Sequence, residues 1–239
     1  CALVDDRLVA AGWLTEQPNG LWLRSFVHPE HRGRGLRKQL LRRAIDLATQ
    51  SGRSLYLHTE ASTPEAESLY RHYGFTRIFA EEIMRRNLRT PLQSLPVSAG
   101  YNLRPWSEQT APGFFEVYAD AFSYRPGYPA PAMADWIDEM SEGSRFRPDL
   151  SLLATVDGEN VGYILCDLDT YLTPREERIA WISQIGVRHS WRGKNIAPAL
   201  MTRVMETLKR ERLDSVLLHV NVNNPSAIRV YLKLGFEIV

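Results

Sequence analysis

The sequence predicts two α/β domains in tandem, the first lacking its opening elements. Three observations carry this. The chain repeats itself. Each copy alternates strand-like and helix-like segments. The second copy has about 50 residues ahead of its first hairpin that have no counterpart in the first. The length, 239 residues, suits one large domain or two medium ones.

The repeat is explicit. Val27–Arg37 (VHPEHRGRGLR) overlies Val187–Ala197 (VRHSWRGKNIA) at an offset of 160, matching Val27 to Val187, Arg32 to Arg192, Gly33 to Gly193 and Arg34 to Lys194. After one extra residue the offset is 161, and His58, Pro64, Ala66, Tyr70 and Gly74-Phe75 meet His219, Pro225, Ala227, Tyr231 and Gly235-Phe236.

In the second copy, Leu152–Val156 and Val161–Leu168 read as strands around Asp157-Gly158, a hairpin signal. Ala180–Val187 reads as a third strand. Ile196, Leu200, Val204 and Leu208 recur every four residues as a helix face. Ser215–Val222 is a strand, and Asn224-Pro225 opens a last helix with Asn as its cap; Gly235 ends it. In the first copy, strands are expected at Cys1–Val4, Leu8–Leu14, Leu21–Val27 and Ser54–Thr59, and helices at Leu36–Thr49 and Pro64–His72. Pro18-Asn19-Gly20 reads as a turn. Ahead of the second hairpin come a strand near Tyr101–Pro105 and helices around Ser107–Phe122 and Pro131–Met140. The domains are therefore expected at 1–88 and 101–239, with 89–100 as a linker carrying Pro91, Pro96 and Gly100. The chain opens abruptly at Cys1 in a strand-like segment and reads as a piece of a longer protein.

Composition narrows the classes. A net charge of +1 argues against a nucleic-acid or membrane-surface partner, and the Arg-rich helix from Arg32 to Arg43 has no aromatic platform beside it. No apolar run approaches the ~20 residues of a membrane helix. Two cysteines, Cys1 and Cys166, give no disulfide framework, so a reducing cytoplasm is the expected compartment. No metal-ligand cluster stands out.

The strand–loop–helix segments suggest anion binding, because a helix start directs free N–H groups and partial positive charge outward. Two familiar phosphate loops fail. A Walker loop needs Ser or Thr after the Lys, and Asn195 follows Lys194; the dinucleotide fingerprint needs a third Gly, and position 38 is Lys. A third pattern, Arg/Gln-x-x-Gly-x-Gly/Ala, fits Arg32-Gly33-Arg34-Gly35-Leu36-Arg37 except at Arg37, and Arg192-Gly193-Lys194-Asn195-Ile196-Ala197 except at Asn195. Asn is among the residues that best tolerate positive φ. About 30 residues later, Asn224, Ala227, Tyr231, Gly235 and Phe236 fill a second pattern, Asn-x-x-Ala-x-x-x-Tyr-x-x-x-Gly-Phe; Thr63, Ala66, Tyr70, Gly74 and Phe75 fill it with Thr for Asn.

The two patterns, in order and twice, resemble the GNAT superfamily of N-acetyltransferases, and the tandem layout resembles the mycothiol synthase family. The resemblance implies two GNAT-like domains, each a mixed, mostly antiparallel twisted sheet flanked by helices. It implies acetyl-CoA as cosubstrate and a small-molecule amine as acceptor. Its pyrophosphate would sit on Arg192, Gly193, Lys194, Asn195, Ile196 and Ala197, with Val27, Arg32, Gly33, Arg34 and Gly35 as the first copy's equivalent. Backbone donors near Ile185 and Val187 on the splayed fourth strand would meet the thioester, with Asn224 beside it. Tyr231 would be the general acid; the plainer alternative is an aromatic core residue. The general base stays open among Asp167, Asp169, His189 and His219. The fourth strand has no carboxylate, and Trp181 stands where that of the mycothiol synthase family is expected. The aromatic and acidic stretch with Tyr118, Asp120, Phe122, Tyr124, Tyr128, Trp136 and Asp138 either cups a cationic amine or packs on the sheet, and the segment from Tyr124 to Pro131 is a candidate covering loop. The second domain is expected to be the active one. The rival is a CoA-binding scaffold without turnover.

Overall fold

The computed structural model describes residues 1–17, 19–59, 63–92, 100–123, 131–169 and 177–239. Most of the expected linker, the Tyr124 to Pro131 loop apart from Pro131 itself, and Pro18 of the expected turn lie outside these residues. Two compact units divide between Ile78 and Phe79.

The first unit runs β1 (Ala2–Val4), β2 (Arg7–Gln17), β3 (Gly20–Val27), α1 (Leu36–Ser51), β4 (Leu55–Leu57) and α2 (Pro64–His72). Its sheet has the order β1-β2-β3-β4, with only β3 and β4 parallel. Leu23, Leu41 and Ala44 form its core beneath α1. The opposite face carries Trp13 and Phe26, both about half exposed.

The second unit contains β5 (Glu81–Asn87), β6 (Tyr101–Pro105), α3 (Ala111–Ala121), α4 (Met133–Ser141), β7 (Leu152–Val156), β8 (Glu159–Leu168), β9 (Ile179–Val187), α5 (Ile196–Arg210), β10 (Ser215–Asn221), α6 (Pro225–Lys233) and β11 (Glu237–Ile238). The sheet order is β11-β5-β10-β9-β8-β7-β6, and β9 with β10 is its one parallel pair. Asp157 and Gly158 both take positive φ in the tight turn joining β7 to β8, as the Asp-Gly signal predicts.

The sequence reading places residues up to 88 in the first domain. Strand β5 instead pairs antiparallel with β10 from Asn87↔Ser215 to Glu81↔Asn221, inside the second unit's sheet. Met84 is fully buried there, and β11 pairs along the other edge of β5. Local sequence marks Glu81–Asn87 as neither domain's property, because the strands it pairs with lie more than a hundred residues away.

The two faces of the second sheet bury different helices. Val216, Leu218 and Val220 alternate into the main core with Ala180, Ile182 and the apolar face of α5, including Ile196, Leu200, Val204 and Leu208. The other face packs Leu153, Tyr163 and Leu165 against Phe114 and Val117 of α3 and Trp136 of α4. Close packing here needs glycine: a Cβ on Gly186 would come within 2.6 Å of the Tyr163 ring, and one on Gly162 within 2.6 Å of Ile196.

Candidate active site

Strands β9 and β10 run side by side only from Ile179↔Ser215 to Ile182↔Leu218, then part. Ile185 and Val187, the predicted donors, lie on β9 beyond this fork. A bulge sits at the same level: Leu165 faces Gln184 and Cys166 faces Ile182, leaving Ser183 as the extra residue on β9. A bulge turns backbone groups out of the ladder. A fork in a parallel pair leaves the facing edges free to meet an extended ligand. Together they form a slot lined by unspent backbone donors and acceptors.

At the end of β9 the chain makes a single 3-10 turn, His189–Trp191, and enters α5. Gly193 has φ 76° and Asn195 φ 61°, so Asn195 adopts the left-handed conformation that the family pattern gives to Gly. Open space surrounds the Cβ position of Gly193. Among the described residues, the backbone N–H groups of Gly193, Ile196 and Ala197 have no acceptor; the first intrahelical bond is Ala199 N–H to Asn195 O, 3.1 Å. Pro198, in the first turn, removes a donor that would be orphaned anyway. The loop is thus an exposed set of donors at the positive end of a 15-residue helix. Lys194 adds charge, its Nζ 4.2 Å from the Trp191 ring centre.

Helix α3 holds this loop in place. Asp120 accepts from the backbone N–H of His189 at 2.7 Å and meets its ring Nδ1 at 3.2 Å. Burial acts to raise the Asp120 carboxyl, but these His189 bonds and the nearby Arg188 hold it below its ordinary range. Arg192 donates to Ala121 O at 3.0 Å. Arg188 reaches Glu116 at 3.4 Å, and Asn160 also donates to that carboxylate. His189, one of the candidate bases, is therefore engaged as a clamp between α3 and the loop.

Tyr231 projects from α6 into the core cluster that includes Val220, with Ile185 and Val187 from beyond the fork packed against it. It is 6% exposed, tilted against Phe236, and its hydroxyl has no hydrogen-bond partner among the described residues. Burial pushes its phenol up to about 12, so it stays protonated through the neutral range. The Asn224 side-chain oxygen accepts from Ala227 N–H at 3.2 Å and from Ser226 at 2.8 Å, a helix cap. Arg86 on β5 caps the other end of α6 by donating to Leu234 O at 2.9 Å. Sequence reasoning missed this brace, because Arg86 reaches α6 only through the tertiary pairing of β5.

The first unit repeats part of this arrangement. Gly33 and Gly35 have φ 77° and 78°, Arg32 matches the backbone of Arg192, and Thr63 caps α2 through Ala66 N–H at 3.2 Å, as Asn224 caps α6. Tyr70 is half-buried, and the β2–β3 ladder has no bulge. Of the acceptor-side aromatics, Trp136 is fully buried and Tyr118 stacks on it at 4.9 Å, so both pack on the sheet. Tyr124 and Tyr128 lie outside the described residues. Among those residues, no group of acidic, His or Cys side chains is arranged to hold a metal ion, and no helix is long and apolar enough to cross a membrane.

A forked parallel pair of strands thus lies beside an exposed, donor-rich helix start. The family model described as acetyltransferase (GNAT) matches residues 1–75 and 111–236, and the chain belongs to this family. It is 29% identical over 236 residues to the mycothiol acetyltransferase of Thermobispora bispora, covering 97% of this chain and 77% of that one. It spans 63–66% of three further mycothiol acetyltransferases. Among solved structures, a GCN5-related N-acetyltransferase from Sphaerobacter thermophilus matches 98% of the chain and 75% of that protein, with TM-score 0.79 and 24% identity. A tandem GNAT protein from the clavulanic acid biosynthesis pathway matches 99% and 78%, with TM-score 0.73 and 22% identity. These two likenesses show the tandem fold.

Proposed function

We propose that the second unit transfers an acetyl group from acetyl-CoA to the primary amine of a small molecule by direct attack. The observation that carries this reading is the conjunction of the β9–β10 fork with the donor-rich loop at the start of α5. In this reading Arg192, Gly193, Lys194, Asn195, Ile196 and Ala197 hold the pyrophosphate. The N–H groups of β9 near Ile185 and Val187 bind the thioester arm and the oxyanion that develops on its carbonyl. Asn224 orders the helix that carries Tyr231, and Tyr231 protonates the departing thiolate. The relatives named mycothiol acetyltransferase favour a small-molecule acceptor.

The second unit is favoured over the first. Its loop is braced by Glu116, Asp120 and Ala121 of α3, and its tyrosine is more deeply buried than Tyr70. The first unit keeps the loop of Val27, Arg32, Gly33, Arg34 and Gly35 and acts as scaffold in this reading. The test is release of CoA from acetyl-CoA in the presence of glucosamine, spermidine or a dipeptide. Release that requires an amine and is lost in Tyr231→Phe supports the reading. Stoichiometric binding without release from any amine refutes it in favour of a binding module.

A further inference from the structure

The face of the sheet opposite Tyr231 carries a second titratable group at the fork. Pairing of β9 with β10 ends at Ile182↔Leu218, and His219 is the next residue. Its neighbours Leu218 and Val220 point into the main core, so its side chain stands on the other face, 51% exposed. There its ring lies flat on Trp181, centroids 5.1 Å apart and planes 16° apart. Its Nδ1 faces Glu81 Oε2 on β5 at 3.9 Å, an ion-pair separation and longer than a hydrogen bond.

We propose that His219 is the general base that takes the proton from the attacking amine, held by Trp181 and positioned by Glu81. The inference rests on the acetyltransferase reading above. The stack fixes the plane of the ring, and the carboxylate draws Nδ1 to one side, which leaves Nε2 for the incoming amine. Among the described residues, the charges around the ring are few. Ile83 faces His219 directly across β5; Arg85, two residues on, is tied to Glu177 at 2.9 Å. Leu217 and Asn221 flank it on its own strand, and Asp167 lies one strand further off, opposite Trp181. Glu81 is the carboxylate at hand, facing Nδ1 from β5.

The proton balance is complete. The ammonium gives one proton to His219 Nε2, which passes it to solvent. The neutral nitrogen forms the C–N bond to the thioester carbon. The tetrahedral intermediate loses its second amine proton to solvent, the C–S bond breaks, and the thiolate takes one proton from Tyr231, which solvent restores. One acetyl-CoA and one ammonium yield one amide, one CoA thiol and one released proton. Base and acid stand on opposite faces of the sheet with the fork between them. The fold thereby separates the two proton transfers.

The test is the rate of CoA release from acetyl-CoA with glucosamine, spermidine or a dipeptide, from about pH 6 to 9, the range an imidazole spans. In His219→Gln, kcat should fall about 100-fold at neutral pH with acetyl-CoA affinity and melting temperature unchanged. The deficit should shrink as pH rises and the amine loses its own proton. Added imidazole should restore activity to His219→Ala. Glu81→Gln should lower kcat at unchanged KM for acetyl-CoA, and Glu81→Asp should recover part of the loss. Wild-type rates in His219→Gln across the whole pH range would overturn the base assignment and leave the acetyltransferase reading standing. No release by the wild type with any amine would overturn both.

Discussion

Tyr231→Phe removes one oxygen that makes no hydrogen bond among the described residues and, on the proposed function, supplies catalysis. The hydroxyl lies on a residue only 6% exposed and has no partner among the described residues. The hydroxyl makes no bond that its removal would break, so the variant should stay within about 1 kcal/mol of the wild type at neutral pH. The pH dependence follows from the phenol being pushed from its reference value of 10.0 up to about 12. For a raised pKa the stabilisation is complete below the unfolded value and is lost as pH climbs to the folded value. At about 1.4 kcal/mol per pH unit, the wild type should lose roughly 3 kcal/mol more than the variant between pH 10 and 12. Cys166, also raised to about 12 by burial, is common to both and cancels. Denaturant unfolding at pH 7, 10 and 12 reads the stability, and CoA release reads a fall in kcat of about 100-fold or more at unchanged KM for acetyl-CoA. Full activity in the variant would make Tyr231 a packing residue. A loss of more than about 1 kcal/mol at neutral pH would mean that the hydroxyl is bonded.

Further substitutions test the supporting structure. Asn195→Gly should leave stability and acetyl-CoA affinity close to wild type, whereas Asn195→Val, forced to φ 61°, should cost about 1–2 kcal/mol in folding or binding; paired melting and calorimetric titrations check this. Arg86→Met strands Leu234 O and the other oxygens that Arg86 serves, and should cost about 2–4 kcal/mol, read as a fall of about 5–15 °C in melting temperature. Gly186→Ala places a methyl 2.6 Å from Tyr163 and should cost about 1–3 kcal/mol while raising KM for acetyl-CoA, because α3 braces the loop from that side.

The elements that depend on near neighbours were legible in the sequence. Asn195 in a glycine slot, the cap at Asn224, the stop at Gly235 and the Asp157-Gly158 turn all follow from local backbone chemistry, and each is found. Features made by pairing were hidden. Glu81–Asn87 carries four charged residues in seven and shows no clean alternation, yet it lies inside the sheet, next to its edge strand, because β10 and β11 pair along both its edges. The bulge at Ser183 adds one residue to β9, and Trp181, level with Leu217 on β10, stacks diagonally on His219. A fixed offset of 160 aligns Trp181 with Leu21, although the first unit's own stack is Trp22 on Tyr56, at 5.0 Å. The aromatics of α3 and α4 were ambiguous because a cation cup and a sheet-packing face need the same residue types. Burial of Trp136 decides for packing.

The most direct test of the account is a calorimetric titration of acetyl-CoA into the wild-type chain and into Ala197→Glu. Position 197 lies in the first turn of α5. A carboxylate there favours the helix by about 0.3–1 kcal/mol while repelling a bound pyrophosphate. The account predicts a wild-type isotherm containing a site that Ala197→Glu removes, with the melting temperature held or raised. An isotherm left unchanged by the substitution would contradict it, because acetyl-CoA would then bind elsewhere than at the start of α5.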